Sequence, residues 1–112
     1  MVLPLKIEKF PVEIDLEIKR ENNFLKVYTI CYNPGSEAFN FKITLKINKK
    51  GPSGVSHVLQ NKKITLLPKE KIKPVLGVIK IESEDFYTIE IKVWDEKGNL
   101  ILEKTISSEN FV

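Results

Sequence analysis

Residues 12–19 read VEIDLEIK, and their alternation is complete. Val12, Ile14, Leu16 and Ile18 share one parity; Glu13, Asp15, Glu17 and Lys19 share the other. A period of two sends successive side chains to opposite faces of a pleated strand, so this segment has one apolar and one polar face. The pattern returns at residues 39–47, where Phe39, Phe41, Ile43, Leu45 and Ile47 alternate with Asn40, Lys42, Thr44 and Lys46. It returns again with Tyr87, Ile89, Ile91 and Val93. No window shows a three-to-four period over ten residues, so no substantial helix is expected.

Turn chemistry separates these runs. Arg20-Glu21-Asn22-Asn23 suits a reversal because Asn tolerates the left-handed region, and Asn33-Pro34-Gly35-Ser36 combines a fixed φ with a glycine. Residues 48–54 form the longest turn-forming stretch, Leu67-Pro68 ends another run, and residues 82–85 and 95–99 close two more. Between them lie strands at 10–19, 24–32, 39–47, 64–67, 75–81, 86–94 and 100–106, with a short edge strand at 55–59. Residues 24–32 are apolar on both parities and read as a central strand covered on both sides. Gly77 marks a bulge, Pro74 confines residues 71–73 to an edge or crossover, and Leu100, Leu102 and Ile106 carry the last strand inward. The expectation is an all-β fold: an immunoglobulin-like β-sandwich of seven or eight antiparallel strands, formed as one domain over residues 1–112. A Greek-key barrel of the OB type is the main competitor, but it has five strands and often a helix. Without a Cys…Trp…Cys spacing, a true immunoglobulin domain is excluded.

Several function classes fall to composition. At 42% hydrophobic and 29% charged the chain is globular, and no apolar run reaches membrane-spanning length, so no membrane insertion is expected. The opening residues lack the apolar core of an export signal. The chain reads as soluble, either cytoplasmic or the soluble part of an exported or anchored protein. Lone Cys31, between Ile30 and Tyr32, reads as a buried thiol. The net charge of +3 comes from lysines with a single arginine, Arg20, whereas nucleic-acid readers cluster arginine; no nucleic acid is expected. The Lys, Glu and Ile/Val balance fits a heat-adapted source.

The order of segments resembles the CARDB-type and related fibronectin-III-like sandwich modules of prokaryotic, often archaeal, proteins. The residues that carry it are Asn33-x-Gly35 at a strand end, Leu66-Leu67-Pro68-Lys69-Glu70 before a strand, and Tyr87-x-Ile89-x-Ile91-x-Val93-x-Asp95-x-x-Gly98. Lys69 stands where those modules carry Gly, Asp85-Phe86 precedes Tyr87 without a Gly, and the closing stretch is reduced to Glu109-Asn110. The resemblance implies an accessory, adhesion-like or surface-anchored module without catalytic residues of its own.

The candidate chemistry is thin. His57 is the only histidine, so a nucleophile–base pair has to be Ser53 or Ser56 with His57, or Cys31 with His57, and none has an orienting carboxylate in sequence. One Cys and one His do not make a zinc site. Glu82, Glu84 and Asp85 offer oxygen ligands but lack calcium-loop spacing. The lysine-rich loop at 49–54 lacks phosphate-loop spacing. No catalytic residue, metal or cofactor is expected. Two surface features remain. Lys42, Lys46, Lys49, Lys50, Lys62 and Lys63 suggest a basic face, and equally suggest lysines that discourage sheet aggregation. Trp94, Tyr28 and Tyr32, with Phe24 and Phe86, exceed the core parities and are candidates for an interface. The reading is a non-catalytic module for protein–protein contact or self-association, with an accessory or surface-associated setting, an unidentified protein partner or homo-oligomer, and no known ligand. The alternatives are a carbohydrate or other ligand site with Trp94 and a tyrosine on one face, and weak nucleic-acid binding through the lysines.

Overall fold

The structure, a computed structural model, describes residues 2–5, 10–52 and 54–108. It contains nine strands: β1 (Val2–Leu5), β2 (Glu13–Glu21), β3 (Phe24–Tyr32), β4 (Phe39–Gly51), β5 (Gly54–Leu66), β6 (Lys71–Ile72), β7 (Val75–Lys80), β8 (Phe86–Asp95) and β9 (Leu100–Ser107). The first sheet runs β1-β2-β3 and ends on β6 and β7, which share the far edge of β3; the second runs β5-β4-β8-β9. Every pairing is antiparallel. The fold is therefore the expected immunoglobulin-like β-sandwich, with the strand count raised by β1 and β6.

The alternating residues fill the space between the sheets. Ile14 and Leu16 of β2, Leu25 and Val27 of β3, Ile43, Leu45 and Ile47 of β4, and Ile89, Ile91 and Val93 of β8 are fully or almost fully buried. Each of these side chains contributes roughly 1.5–3 kcal/mol through removal from water. Gly77 faces the second sheet closely, and an added Cβ there would lie 2.7 Å from Leu45 Cδ2. The expected bulge is there: Val27 pairs with Gly77 and Tyr28 with Val75, leaving Leu76 as the extra residue.

Three expectations change. Residues 55–59 and 64–66 are not separate strands but parts of one β5, which stays in register with β4 from Gly51↔Gly54 to Phe39↔Leu66. Asn48, Lys49 and Lys50 continue the ladder opposite His57, Ser56 and Val55, so β4 runs on to Gly51 and β5 begins at Gly54. The second change concerns β3, which is central in its sheet but buried on one face only: its odd-numbered side chains are buried, and its even-numbered ones are half-buried or exposed, with no third layer over them among the described residues. The third is Leu100, which is 44% exposed. A register shift between Val93 and Trp94 pairs Leu100 with Trp94 and leaves Leu102 opposite Val93. Asn33 lies in the expected reversal after β3 and is 1% exposed.

Asn33 fastens the chain where it leaves the first sheet for the second. Its Nδ2 donates to the carbonyls of Glu37 (2.8 Å) and Leu66 (3.1 Å), and its Oδ1 accepts from the Gly35 N–H (3.0 Å). Its backbone is joined to the next crossover: Asn33 N donates to Glu70 O (3.0 Å), and Lys69 N donates to Asn33 O (2.8 Å). That crossover is a tight turn closed by Glu70 N donating to Leu67 O (3.1 Å), with Lys69 at φ 63°. The left-handed conformation explains why glycine suits the Lys69 position. Lys69 Nζ donates to Pro34 O, a further tie between the two turns.

Replacing Asn33 with Ala should destabilise the fold by about 2–3 kcal/mol, because buried carbonyls lose their donors. Gly77→Ala should cost about 1–3 kcal/mol through forced separation of the sheets. Urea unfolding followed by Trp94 fluorescence measures both.

Candidate protein-contact surface

The pairing of β2 with β3 sets Glu13 opposite Tyr32, Asp15 opposite Ile30, Glu17 opposite Tyr28, Lys19 opposite Lys26 and Glu21 opposite Phe24. Directly opposed residues share a face, so the outer face of the first sheet has a stripe of Phe24, Tyr28, Ile30 and Tyr32, interrupted at Lys26. On its β2 side stand Glu13, Asp15, Glu17 and Glu21. On its other side stand Lys71, opposite Tyr32, and Val78 and Lys80, opposite Lys26 and Phe24. Phe24, Val75 and Val78 are 45%, 46% and 44% exposed, and Tyr28, Ile30 and Tyr32 are half-buried. The result is an apolar floor along β3, flanked on β2 by four carboxylates and Lys19, and on the other side by Lys71, Val75, Val78 and Lys80, with Lys73 over Tyr28. Near one end, Glu13, Asp15, Ile30, Tyr32 and Lys71 line a shallow depression of about 190 Å³.

Glu17 organises the middle of this surface. Lys73 Nζ lies 2.9 Å and Lys19 Nζ 3.2 Å from its Oε1, and the same two ammonium groups sit 5.0 and 5.7 Å from the Tyr28 ring centroid. Each lysine thus meets a carboxylate and a π-face together. The packing leaves Glu17 only 7% exposed, although its parity marks it as an outward residue. The hydrogen bond from Lys73, followed by that from Lys19, holds the Glu17 carboxyl below its ordinary pKa.

Trp94 lies elsewhere. It pairs with Lys42 on the outer face of the second sheet, so it cannot join Tyr28 or Tyr32 in one platform. Its Nε1 donates to Thr44 Oγ1 (3.3 Å), and Lys42 Nζ lies 5.2 Å from its ring. The basic set divides as well. Lys42, Lys46, Lys50 and Lys63 share the outer face of the second sheet, while Lys49 and Lys62 alternate to the other side. Lys49 is largely buried; it donates to Lys80 O (2.9 Å) and lies 3.8 Å from Asp85 Oδ2. Glu90 pairs across from Lys46 and, with Glu103, holds Lys92, so carboxylates interrupt the basic surface.

Among the described residues the candidate catalytic groups do not meet. Cys31 is buried in the core of the first sheet, where desolvation pushes its thiol up to about 11. His57 is exposed on the outer face of the second sheet, and neighbouring Ser56 points to the opposite side. Ser53 and the closing Glu109-Asn110 lie outside the described residues. Asp85 turns inward to accept from Glu82 N (2.7 Å), while Glu82 and Glu84 stay exposed. Among the described residues no group of three His, Cys, Asp or Glu side chains gathers as a metal site. The Asn33-Pro34-Gly35 turn borders a depression of about 350 Å³, but the polar atoms of the Asn33 side chain are engaged within the fold.

No family model and no curated protein matches the sequence, so the CARDB and fibronectin-III resemblance gains no support. Solved structures do match in fold. CsgH of R. palustris superposes with a TM-score of 0.59 at 17% identity, over 88% of this chain and 94% of that one. The E. coli curli protein CsgC gives 0.59 at 16% identity, over 82% and 94%. A β-glucuronidase of Bacteroides uniformis gives 0.53 at 15% identity, over 87% of this chain but 12% of the enzyme. These identities establish a shared sandwich fold alone. All three named sources are bacteria, and the comparisons lend nothing to an archaeal or heat-adapted origin.

Because the folded-state pKa of Glu17 is depressed, its contribution to stability is present above the unfolded value of about 4.3. It is lost as pH falls through the lower folded value. Glu17→Gln should therefore flatten the acid side of the stability profile while changing its slope near pH 8 little. Urea midpoints measured from pH 8 to pH 2.5 give the comparison.

Proposed function

We propose that this chain is a non-catalytic accessory β-sandwich, one domain over residues 1–112, that works by protein–protein contact through the outer face of its first sheet. The observation that carries the reading is the apolar stripe of Phe24, Tyr28, Ile30 and Tyr32 between a mainly acidic edge on β2 and a mixed edge of lysines and exposed valines. Aromatic side chains ringed by charge suit the centre of a contact: the rings supply area at little entropic cost, and the walls set orientation. Tyr28 and Tyr32 remain interface candidates on this basis. Trp94, with its ring and N–H engaged by Lys42 and Thr44, serves the fold of the second sheet.

The fold shared with CsgH and with a curli protein over 94% of each of those chains supports a small stand-alone sandwich as a working unit. A photo-reactive phenylalanine analogue placed at Tyr32 should cross-link to a discrete protein in the native host, and the same group at Lys46 should not. Equal adducts at both positions, or none at Tyr32 in a folded variant, would contradict the assignment.

A further inference from the structure

The outer face of the first sheet repeats one pairing. Glu17 stands opposite Tyr28, and four residues along the ladder Glu13 stands opposite Tyr32. Directly opposed side chains on one face start about 4.5–5.5 Å apart at Cβ, so each carboxylate is within reach of its tyrosine ring. The first pair is completed within the chain. Lys73 Nζ lies 2.9 Å from Glu17 Oε1 and 5.0 Å from the Tyr28 ring centroid, and Lys19 Nζ lies 3.2 Å and 5.7 Å from the same two groups. The carboxylate neutralises the cation and the ring face holds it from the side. The second pair differs. Glu13 is exposed, its neighbour Asp15 on the same face is half-buried, and neither carboxylate has an ion pair among the described residues. Glu21, the other acid of this strand face, is held by Lys26 at 3.0 Å. Glu13, Asp15 and Tyr32 open instead onto the depression of about 190 Å³, with Ile30 in its lining and Lys71 on the far rim.

We propose that this end of the face receives an arginine side chain of the protein partner, its guanidinium lying against the Tyr32 ring and donating to Glu13 and Asp15. The inference rests on the partner-contact reading and names the partner's chemistry at that surface. Charge complementarity selects a cation, in the way that Glu17 and Tyr28 take Lys73 within the chain. Spacing selects arginine over lysine. Glu13 and Asp15 are two residues apart on one strand, about 6.6 Å at roughly 3.3 Å per residue. A guanidinium presents its donors in a planar fork, so it can meet both carboxylates while stacking on a ring, whereas an ammonium is a compact, strongly hydrated point charge. The arginine stem then lies over Ile30, an apolar seat for its methylenes. Lys71 stands two strands across from Glu13, about 10 Å at roughly 4.8 Å per strand. It leaves room for one cation beside the acids and repels a second on its own side, and the net charge of +3 also disfavours a polybasic segment. The contact is therefore a single arginine in an otherwise uncharged stretch.

Titration with the end-capped peptide Gly-Leu-Arg-Leu-Gly, followed by backbone amide NMR shifts, tests the contact. The same peptide with citrulline in place of arginine keeps the side chain's shape and removes its charge. The arginine peptide should shift the amides of residues 13–15 and 30–32 saturably and bind about tenfold tighter than the citrulline peptide. Glu13→Gln combined with Asp15→Asn should abolish that difference. Glu17→Gln should preserve it, because Glu17 is already met by Lys73 and Lys19. Tyr32→Leu should weaken the arginine peptide several-fold and Tyr32→Phe, which keeps the ring, should not; urea midpoints verify that each variant is folded. Equal affinity for the two peptides, shifts centred on Glu90 and Glu103 of the second sheet, or no saturation up to about 10 mM peptide would overturn the proposal. The photo-reactive analogue at Tyr32 separates this failure from that of the partner-contact reading. An adduct of unchanged yield in the Glu13→Gln, Asp15→Asn chain overturns the arginine contact and leaves partner contact standing, whereas no adduct without those two substitutions removes both.

Discussion

Asn33 forms its hydrogen bonds where the chain makes two of its crossings between the sheets, and it ties those two crossings together. β3 and β4 belong to different sheets, so the six residues between Tyr32 and Phe39 must turn the chain over the end of the core. The return from β5 to β6 crosses the same gap in the opposite direction. Asn33 reaches both crossings, with Nδ2 on Leu66 O and its backbone on Lys69 and Glu70. Buried backbone groups at such crossings have no ladder to satisfy them, and an unsatisfied group costs about 1–3 kcal/mol. Asparagine supplies two donors and an acceptor from one short side chain, so it satisfies both crossings at once.

Two layers leave two outer faces, and the strands divide their chemistry between them. The second sheet covers its outer face with lysines and glutamates that meet across strands, and with a tryptophan held by its neighbours. The first sheet divides its outward side chains by strand instead, with carboxylates predominating on β2, aromatics on β3, and lysines mixed with exposed valines on β6 and β7. Sorting of that kind does little for stability, since surface ion pairs contribute at most about 1 kcal/mol each. It does give the face a polarity across its width, which a partner can match. Glu17 shows how close-set the arrangement is: two lysines and a tyrosine ring nearly enclose a carboxylate on an outer surface.

Much of the fold was legible because alternation reports the core directly. The inward sets of β2, β4 and β8 follow from parity alone, and the turns at Asn22, where φ is 55°, and at Asn33-Pro34-Gly35 follow from the conformational preferences of Asn, Pro and Gly. What parity does not report is how far a strand extends once both its faces are polar, which is why β5 read as two fragments with the Gln60-Asn61-Lys62-Lys63 stretch between them. Nor does it report register between strands. Tyr28 and Tyr32 share a face by parity, but their separation from Trp94 depends on which sheet each strand joins. The burial of Glu17 needs Lys73, 56 positions away in sequence. The one local sign of the apolar face was that Phe24, Tyr28, Ile30 and Tyr32 all have even numbers in a strand whose odd positions already fill the core.

Hydroxyl-radical footprinting of the aromatic residues, on the isolated protein and on the protein in extract of its native host, tests the central claim most directly. Partner contact through the first sheet should lower oxidation at Phe24, Tyr28 and Tyr32 in the extract and leave Trp94 unchanged. Unchanged oxidation at the three β3 residues, or protection that falls on Trp94 instead, would contradict the assignment of that face.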